Sequence, residues 1–388
     1  MKARTHRLVR HALVACALVL LAGTLLGCAK AANAGSSSSW QSLGGADDLS
    51  SMAFSDAGHG LAVGSGHTAF LETTDGGRTW ASARGRISPD PHVGSLPARL
   101  GRFTLPAEVL SGGQALFATT YSRPPGSRAV ATAGPSLVLR SDDGGASWHV
   151  VLSLAPADSV IDLAASDARH LWALCAPGQP DAPGPTYLMR SSDGGRDWQR
   201  LASHGIFTAG GVGIQTPLLF ADAHHGWSLY TRLENAAWSN LRRTTDGGAA
   251  WQKSPPQGLE VNRCFAATGA SSVWVGGDGR TAAGKAGGLL MGSRDGGQTW
   301  QTAAGFPGAS VSAVTFVGAS DGWLVTVRPQ GGGAIYATHD GGRTWRRELS
   351  STGSEEWRDQ WMFVRAGREL LASNGFLLYA RPLPPAVP

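Results

Sequence analysis

One eight-residue motif, [Ser/Thr]-x-Asp-Gly-Gly-x-x-Trp, occurs six times between residues 73 and 345 of this 388-residue chain. Successive copies place their aspartates 45 to 68 residues apart, which is about the length of a four-stranded propeller blade. Each copy must belong to one unit of a repeating architecture, so the motif constrains the fold more than composition does. The conserved positions of the motif are Asp75, Asp143, Asp193, Asp246, Asp295, Asp340, Trp80, Trp148, Trp198, Trp251, Trp300 and Trp345.

The motif itself is typical of a tight turn between two strands. Asp-Gly-Gly supplies residues that tolerate positive φ, which tight hairpin turns require. The aspartate and the preceding Ser or Thr can accept backbone N–H groups in the turn. Apolar runs flank it, such as Ala334–Ala337 before one copy and Trp148–Leu152 after another. The tryptophan is a large apolar anchor suited to the space between packed sheets. We therefore predict a structural role for these aspartates and tryptophans.

A second repeat precedes most copies of the motif by about 20 to 30 residues. It consists of an apolar run, a turn that usually contains aspartate, and another apolar run, as in Ser55–Val63 and Ala221–Leu229. This repeat predicts a second hairpin in each unit. Each unit is then a pair of hairpins, or four strands.

The two ends of the chain complete the count of blades. Three strand-like runs follow the sixth motif, at residues 361–364, 369–372 and 376–379, and no seventh motif follows them. Trp40–Leu43 resembles the strands that follow the motifs, so we predict that it is the missing fourth strand. The fold class is therefore all-β, a single β-propeller of seven four-stranded blades over residues 40–381, closed by N- and C-terminal strands. Six blades with a loose C-terminal segment is the alternative.

The N-terminal residues resemble an export signal. Lys2, Arg4, Arg7 and Arg10 precede an uncharged, mainly apolar run over residues 12–27 that is short for a membrane-spanning helix. The run ends in Leu-Leu-Gly-Cys, which resembles the lipobox of bacterial lipoproteins. We predict a signal peptide over 1–27, a lipidated Cys28, and a flexible tether over 28–39, which is rich in Ala, Gly and Ser. A proline-rich tail follows at 382–388.

This prediction makes the protein an exported one, anchored by lipid on the extracytoplasmic face of a bacterial membrane. The signal region carries four of the basic residues behind the net charge of +5. The rest of the chain is nearly neutral, which excludes the basic footprint of a nucleic-acid-binding protein.

The repeated motif resembles the Asp-box, or BNR repeat, of sialidases, xyloglucanases, sortilin-type receptors and photosystem II stability/assembly factors. The resemblance implies a propeller with its boxes at the blade periphery, away from the central channel. It implies little about function, because unrelated chemistries share this fold. Among these families the assembly factors have the most similar size and layout, one Asp-box propeller behind a signal. Whether the host is photosynthetic is left open.

Two enzyme classes among these relatives are weighed against the residues. Sialidases place an arginine in an Arg-Ile-Pro motif before the first box, but this chain has no Arg-Ile-Pro and no arginine between Arg10 and Arg78. Xyloglucanase-like hydrolysis needs two carboxylates across a cleft. The resembling enzymes have two facing propellers, whereas this chain has the length of one. The carboxylates available for such a role are Asp90, Glu108, Asp181, Glu234 and Glu260.

Other chemistry-bearing patterns have simpler interpretations. Gly279–Lys285 imitates a phosphate-binding loop but continues with Ala286, where Ser or Thr would hold magnesium. The histidines at 59, 170, 224 and 225 recur at equivalent turns, so we expect turn residues and no metal site. Cys175 and Cys264 fall in units three and five, too far apart for a disulfide. We predict no catalytic residues and no cofactor.

What remains is surface. The segment Ala81–Arg102 is an unusually long linker that carries Arg84, Arg86, Arg99 and Arg102. Long loops on a rigid scaffold are where function concentrates. We therefore predict an arginine-lined contact site for the acidic or aromatic surface of a protein partner. The protein would be a monomeric, non-catalytic scaffold for interaction or assembly at the membrane. The alternative function is carbohydrate binding or glycoside hydrolysis.

Overall fold

The computed structural model describes strands and turns, with no helix among the described residues. These residues are 39–45, 49–64, 70–88, 104–122, 136–154, 158–176, 186–201, 218–230, 240–254, 256, 258–280, 284–352, 357 and 361–384. Within these ranges nothing has the helical length and hydrophobicity that a membrane-crossing helix needs. The predicted lipidation site Cys28 and the predicted tether up to Ser38 lie outside the described residues.

The described strands number 29. The first fifteen are β1 (Gln41–Gly45), β2 (Leu49–Phe54), β3 (Gly60–Gly64), β4 (Phe70–Thr73), β5 (Ala81–Ser82), β6 (Arg86–Ile87), β7 (Thr104–Gly112), β8 (Ala115–Ser122), β9 (Ser136–Ser141), β10 (Ser147–Ser153), β11 (Ser159–Ala165), β12 (Leu171–Ala176), β13 (Tyr187–Ser191), β14 (Gln199–Leu201) and β15 (Leu218–Phe220). The others are β16 (Gly226–Tyr230), β17 (Asn240–Thr244), β18 (Gln252–Lys253), β19 (Leu259–Thr268), β20 (Ser272–Arg280), β21 (Ala286–Ser293), β22 (Gln301–Pro307), β23 (Ser310–Val317), β24 (Asp321–Val327), β25 (Gly332–Thr338), β26 (Arg346–Thr352), β27 (Met362–Ala366), β28 (Glu369–Ser373) and β29 (Leu377–Pro382).

These strands form seven sheets, one for each blade of a propeller, and all their pairings are antiparallel except one in blade two. Blades one and three to six each follow chain order: β2-β3-β4-β5, β11-β12-β13-β14, β15-β16-β17-β18, β19-β20-β21-β22 and β23-β24-β25-β26. The first strands of neighbouring blades contact one another, for example β2 with β7 and β19 with β23. The fourth strands therefore lie at the periphery, and each box is the turn between the third and fourth strands. The predicted seven blades are confirmed, and the six-bladed alternative is dropped.

The seventh blade joins the two ends of the chain, as predicted. Its order is β1-β29-β28-β27, with β1 on the outer edge. β1 pairs antiparallel with β29, so that Gln41 lies opposite Ala380 and Gly45 lies opposite Leu377. The preceding residue, Trp40, is buried among Trp323, Trp357 and other side chains of blades six and seven. The ring thus closes through a strand pairing between distant parts of the chain.

Blade two has a fifth strand, which the sequence did not indicate. Its order is β6-β10-β9-β8-β7, and β6 pairs parallel with β10, so that Arg86 lies opposite Ser147 and Ile87 opposite Trp148. β6 belongs to the segment predicted as a long linker. Ile87 is buried between blades one and two, and Gly85 lies against the Trp148 ring, where a Cβ would clash. The first part of the predicted linker is therefore a strand of the blade-two sheet, with a buried side chain at Ile87.

The C-terminal strand runs slightly past the boundary predicted at Arg381. Pro382 still pairs with Glu369, and the Leu383 backbone N–H donates to the Arg368 carbonyl at 2.7 Å. Leu383 is also buried in the core of blades six and seven. The ordered ring therefore includes the first residues of the predicted proline-rich tail.

The two cysteines of the described ring are separate free thiols, in blades three and five. Cys175 lies fully buried on β12, and burial raises the pKa of its thiol to about 12. Cys264 lies on β19, where its Sγ is 3.7 Å from the Gly276 carbonyl.

Candidate functional site

The six boxes share one hydrogen-bond pattern. In the first box the Asp75 carboxylate accepts hydrogen bonds from the Thr73 hydroxyl at 2.8 Å and from the Thr79 backbone N–H at 2.9 Å. The Thr79 hydroxyl donates to the other carboxylate oxygen at 2.6 Å. Gly76 and Gly77 both adopt positive φ, which lets the turn close around the carboxylate. The carboxylate therefore stabilises the turn.

The electrostatics agree with this structural role. The Thr79 hydroxyl, together with the turn N–H groups, lowers the pKa of Asp75 to about 2, against an ordinary value of 3.8. In the fourth box, burial favours the neutral form of Asp246. The hydrogen bonds from Ala250 and Thr244 outweigh that burial, so the pKa of Asp246 is also lowered. A carboxylate kept ionised by its own turn is unsuited to act as a general acid near neutral pH.

Four of the six box tryptophans donate their indole N–H to the carbonyl of the second glycine of their own box. Trp148 donates to the Gly145 carbonyl at 2.9 Å, and Trp251 donates to the Gly248 carbonyl at 3.0 Å. Both indoles pack in the hydrophobic cores between blades. In these four blades the box thus binds its own outer strand, whereas the buried indole N–H groups of Trp80 and Trp300 have no acceptor among the described residues.

The boxes also join neighbouring blades, which sequence reasoning missed. Trp172, on the second strand of blade three, donates to the Gly247 carbonyl in the box of blade four at 2.9 Å. Trp227 of blade four donates in the same way to the Gly296 carbonyl of blade five at 3.1 Å. A tryptophan on the second strand could be seen in the sequence, but its acceptor lies about 70 residues away in the next unit.

Arginines just before the boxes strengthen these joints. Arg140 donates to the Gly194 carbonyl of the next box at 3.0 Å and to the Ala168 carbonyl at 2.7 Å. Arg190 donates to the Ala223 carbonyl of blade four at 3.1 Å and lies over the Trp172 ring. These guanidiniums are occupied within the ring.

The turn histidines contact aspartates of their own turns. Nδ1 of His59 lies 2.9 Å from Asp56, and Nδ1 of His170 lies 2.8 Å from Asp167. His225 contacts Asp222 in the same way at 3.0 Å. Among the described residues no cluster of three or more His, Cys, Asp or Glu side chains could hold a metal ion.

The predicted arginine-lined site is described for its first two members. Arg84 and Arg86 are exposed, whereas the alternating residues Gly85 and Ile87 are buried, so this segment turns an arginine-bearing face to solvent. Two backbone hydrogen bonds hold the segment in place. The backbone N–H of Arg84 donates to the Glu72 carboxylate at 3.1 Å, and the backbone N–H of Arg86 donates to the Ala146 carbonyl at 3.1 Å. Both arginines therefore project from a fixed backbone.

The other two members of the predicted arginine site, Arg99 and Arg102, lie outside the described residues. Within the described part of the chain no carboxylate forms an ion pair with Arg84 or Arg86. We refer to Arg84 and Arg86 as the β6 arginine pair.

The carboxylates considered for glycoside hydrolysis do not come together in the described part. Asp90, Asp181 and Glu234 fall outside it, and only the backbone of Glu108 is described, on β7. Glu260 is exposed on β19 and forms an ion pair with Arg280 at 3.3 Å. Arg280 belongs to the segment that imitates a phosphate-binding loop, and it ends β20, where it lies opposite Ala286 of the antiparallel β21.

A family model described as photosynthesis system II assembly factor YCF48 matches residues 213–360, which contain blades four to six. This match covers less than half of the chain. No curated protein sequence gives a significant match.

Solved structures match over more of the chain. A structure of YCF48 bound to D1 peptide has a TM-score of 0.54 and 17% identity, and the match covers 89% of this chain and 97% of that chain. The GH74 xyloglucanase from Xanthomonas campestris has a TM-score of 0.54 and 17% identity, covering 89% and 54%. An ancestral GH74 enzyme has a TM-score of 0.55 and 15% identity, covering 89% and 46%. At these identities the similarities show the fold alone.

Proposed function

We propose that this Asp-box propeller, which resembles the photosystem II assembly factors over three of its blades, is a non-catalytic scaffold for protein interaction or complex assembly. The observation that carries the proposal is the match to the assembly-factor model over residues 213–360. The bound peptide in the YCF48 structure adds a precedent for protein binding by a similar ring. The described boxes support it physically, since their carboxylates are committed to turns.

The β6 arginine pair is the surface we propose for the partner. The two guanidiniums lie on one face of a segment whose backbone is fixed against blade two. They present several planar N–H donors, and binding a partner would cost little backbone conformational entropy. Such a surface favours acidic or aromatic groups of a partner. Arg99 and Arg102 follow in the same segment and would extend the contact.

We also propose that the ring is held at the extracytoplasmic membrane face by a lipid on Cys28. The ordered ring begins near Trp40, so the tether would span about 11 residues, or at most roughly 40 Å when extended. Cys28→Ser should release the protein from membranes without changing its melting temperature. If the variant stays on membranes through a high-salt wash, lipidation is not the main attachment.

A site-specific crosslinking experiment tests the scaffold function. A photoreactive amino acid replaces Arg86 in one full-length variant and Arg196, an exposed box residue of blade three, in a matched control. We expect the first variant, expressed in its host, to give a discrete crosslinked protein and the second to lack it. Arg84→Ala in the first variant should reduce the yield, whereas Arg169→Ala, a distant change of equal charge, should not.

Carbohydrate chemistry is the competing outcome, favoured by the similarity to GH74 enzymes over 89% of this chain. Purified protein should be tested on a glycan array and with xyloglucan. Turnover of a glycan would overturn the non-catalytic assignment. Glycan binding without turnover, together with no crosslink at position 86, would replace the protein partner by a glycan.

A further inference from the structure

A groove of about 280 Å³ lies at the outer part of the junction between blades five and six. Trp274 of β20 and Gly292 of β21 line it from blade five, together with the first residues of β22. The box of blade six closes the other side with Gly341, Gly342 and Arg343. Its volume suits one or two side chains rather than a large organic ligand.

At the groove, blade five lacks an arginine that the three preceding blades carry. In blades two, three and four an arginine lies opposite the aromatic residue of the second strand: Arg140 opposite Phe117, Arg190 opposite Trp172, and Arg243 opposite Trp227. In blade five the equivalent residue is Gly292, opposite Trp274. The space that a side chain fills at the earlier junctions is therefore open here.

The groove is rich in hydrogen-bond donors and has no acidic lining. Two of its eleven lining residues are arginines, Arg294 and Arg343, and none is Asp or Glu. Among the described residues, Arg294 has one long hydrogen bond to the Gly341 carbonyl and Arg343 has one to the Asp340 carbonyl, both at 3.4 Å. Most of their donors thus remain available for a ligand.

Trp274 supplies a further donor. Its counterparts Trp172 and Trp227 donate to box carbonyls of the next blade. Among the described residues no acceptor takes the Trp274 Nε1–H, although the side chain is only 4% exposed. Two guanidiniums and an indole N–H that converge on one space match a carboxylate, which accepts up to four hydrogen bonds.

The neighbouring box aspartates do not cancel this preference. Asp295 accepts hydrogen bonds from Ser293, Gln298 and Thr299. Asp340 accepts the equivalent set from its own box, including the Thr344 N–H at 2.9 Å. Both carboxylates point into their own box turns, and neither lines the groove.

The protein itself shows how an extended segment can bind beside a box. β6 lies along the outer edge of blade two, and its backbone bonds to the Ala146 and Trp148 carbonyls. The equivalent edge of blade five is β22, which is the last strand of its sheet in the part of the chain that the structure describes. An edge strand offers free N–H and C=O groups to another chain.

We propose that the edge of blade five binds an extended acidic peptide, whose carboxylate side chain enters the groove between Arg294 and Arg343. The inference rests on the proposed function, in that it takes the partner to be a protein. Successive side chains of a strand point to opposite faces. A residue opposite Trp300, like Ile87 opposite Trp148, packs toward blade four and should be apolar. Its two neighbours, opposite Thr299 and Gln301, face the groove, so one of them carries the carboxylate.

Fluorescence anisotropy on the full-length protein tests this proposal. The probe is a labelled nine-residue peptide with a central Ile flanked by two Glu, and the control peptide has Gln in place of both Glu. We expect saturable binding of the Glu peptide that is at least tenfold tighter than binding of the Gln peptide and that weakens with salt. Excess acetate serves as a free carboxylate. Competition by acetate at millimolar concentration would assign the site to small carboxylates and overturn the peptide proposal.

Two variants locate the site on the ring. Gly292→Arg should place a side chain in the groove, as Arg140 and Arg190 do elsewhere, because the backbone at Gly292 is not in the left-handed region. A Cβ there meets the Trp274 ring at 3.3 Å, so this ring must shift by a few tenths of an ångström. Arg294→Ala combined with Arg343→Ala removes the two cations. Both variants should weaken binding of the Glu peptide at least tenfold while keeping the wild-type melting temperature. The matched control is Arg169→Ala combined with Arg196→Ala, which removes two exposed arginines of blade three.

Equal binding by wild type, Gly292→Arg and the control, or no binding of the Glu peptide at all, would overturn the proposal. If either Gly292→Arg or the double variant Arg294→Ala/Arg343→Ala unfolds, the binding measured with the other variant tests the proposal. The crosslink at position 86 is measured separately, so the scaffold function can stand when the groove fails. Conversely, peptide binding at blade five without a crosslink at position 86 would retain protein binding and move it away from the β6 arginine pair.

Discussion

The outer hairpins of blades two, three, four and six differ from that of blade seven in the acceptor that binds the indole N–H of their tryptophan. In blade four, Trp251 donates its indole N–H to the carbonyl of Gly248, three residues away in its own box. Blade seven has no box. Its counterpart, Trp40, donates instead to the Glu348 carboxylate of blade six at 3.1 Å.

The second-strand tryptophans differ in the same way. Trp172 and Trp227 donate to carbonyls in the box of the next blade. Trp323 of blade six faces the boxless blade seven and donates to Glu348 at 3.3 Å. One carboxylate thus replaces two backbone carbonyls, and Arg381, whose side chain is 3% exposed, balances its charge at 2.9 Å. At the seam, an ion pair between Glu348 and the buried Arg381 takes the place of the box turn that is repeated six times elsewhere.

The largest expected effect is the removal of the strand that closes the ring. Deletion of residues 38–44 removes Trp40 and most of β1, and leaves the edge of β29 without its partner. Truncation of a buried tryptophan alone costs about 3–5 kcal/mol, and an open edge favours aggregation. We expect a strongly lowered melting temperature or aggregation, measured by thermal denaturation and size-exclusion chromatography.

Deletion of residues 31–35 is the control, because these residues lie in the predicted tether. It should leave the melting temperature unchanged. If both deletions melt at the wild-type temperature, β1 does not contribute to closure.

The next effect is expected at the buried ion pair. Glu348→Ala removes the carboxylate that pairs with the buried Arg381, leaves the more distant influence of Asp321, and takes away the acceptor of two indoles. We expect a loss of about 3–5 kcal/mol in the free energy of unfolding, the usual cost of breaking a buried pair from one side. Urea denaturation measures it.

The double variant Glu348→Ala/Arg381→Met sharpens this result. It removes both charges, so it should lose less stability than the sum of its two single variants. Strict additivity would show that the two charges do not depend on each other, and that the seam is held by packing alone.

A smaller effect is expected from single boxes. Asp246→Ala leaves the Ala250 N–H and the Thr244 hydroxyl without their acceptor, and should cost about 1–3 kcal/mol. Asp143→Ala should cost about 1 kcal/mol more, since Asp143 also accepts the Ser147 hydroxyl at 2.5 Å. Neither should change partner binding per folded molecule. Loss of crosslinking with an unaltered melting curve would contradict the structural role of the box.

The smallest effect is a fall in the stability of the fold at acidic pH, which we attribute to the box aspartates. The folded-state pKa of Asp75 is lowered to about 2 from an ordinary value of 3.8, and the other box aspartates shift in the same direction. Such groups stabilise the fold above the ordinary pKa and lose that contribution as the pH falls through the folded value. We expect the urea midpoint to fall between about pH 4 and pH 2, and Asp75→Asn to reduce the slope. An unchanged slope would mean that this box does not contribute to acid sensitivity.

The ring could be predicted from the sequence because its signals are local. The turn chemistry of the box lies within eight residues, and the spacing of the boxes gives the blades. The resemblance of Trp40–Leu43 to the post-box strands was enough to predict the closure. None of these features requires knowledge of which blades touch.

The features that the sequence did not predict depend on contacts between units. β6 has only two paired residues, and its place is set by Gly85 and Ile87 against blade two. The arginines before the boxes act on the next blade. The groove at Gly292 lies where blade five has a glycine and the three preceding blades have an arginine. It becomes visible only when the strands are aligned in register.

The pairing of β1 with β29 also sets an order of events during folding. Gln41 and Ala380 are neighbours in the sheet but are separated by nearly the whole ring in sequence. During synthesis β1 emerges before the other strands of the ring, and its partner β29 emerges after them. Six blades can form from nearby segments, while the seventh waits for the final residues. Until then the first strand is an unsatisfied edge, exposed to capture by chaperones or by a second chain.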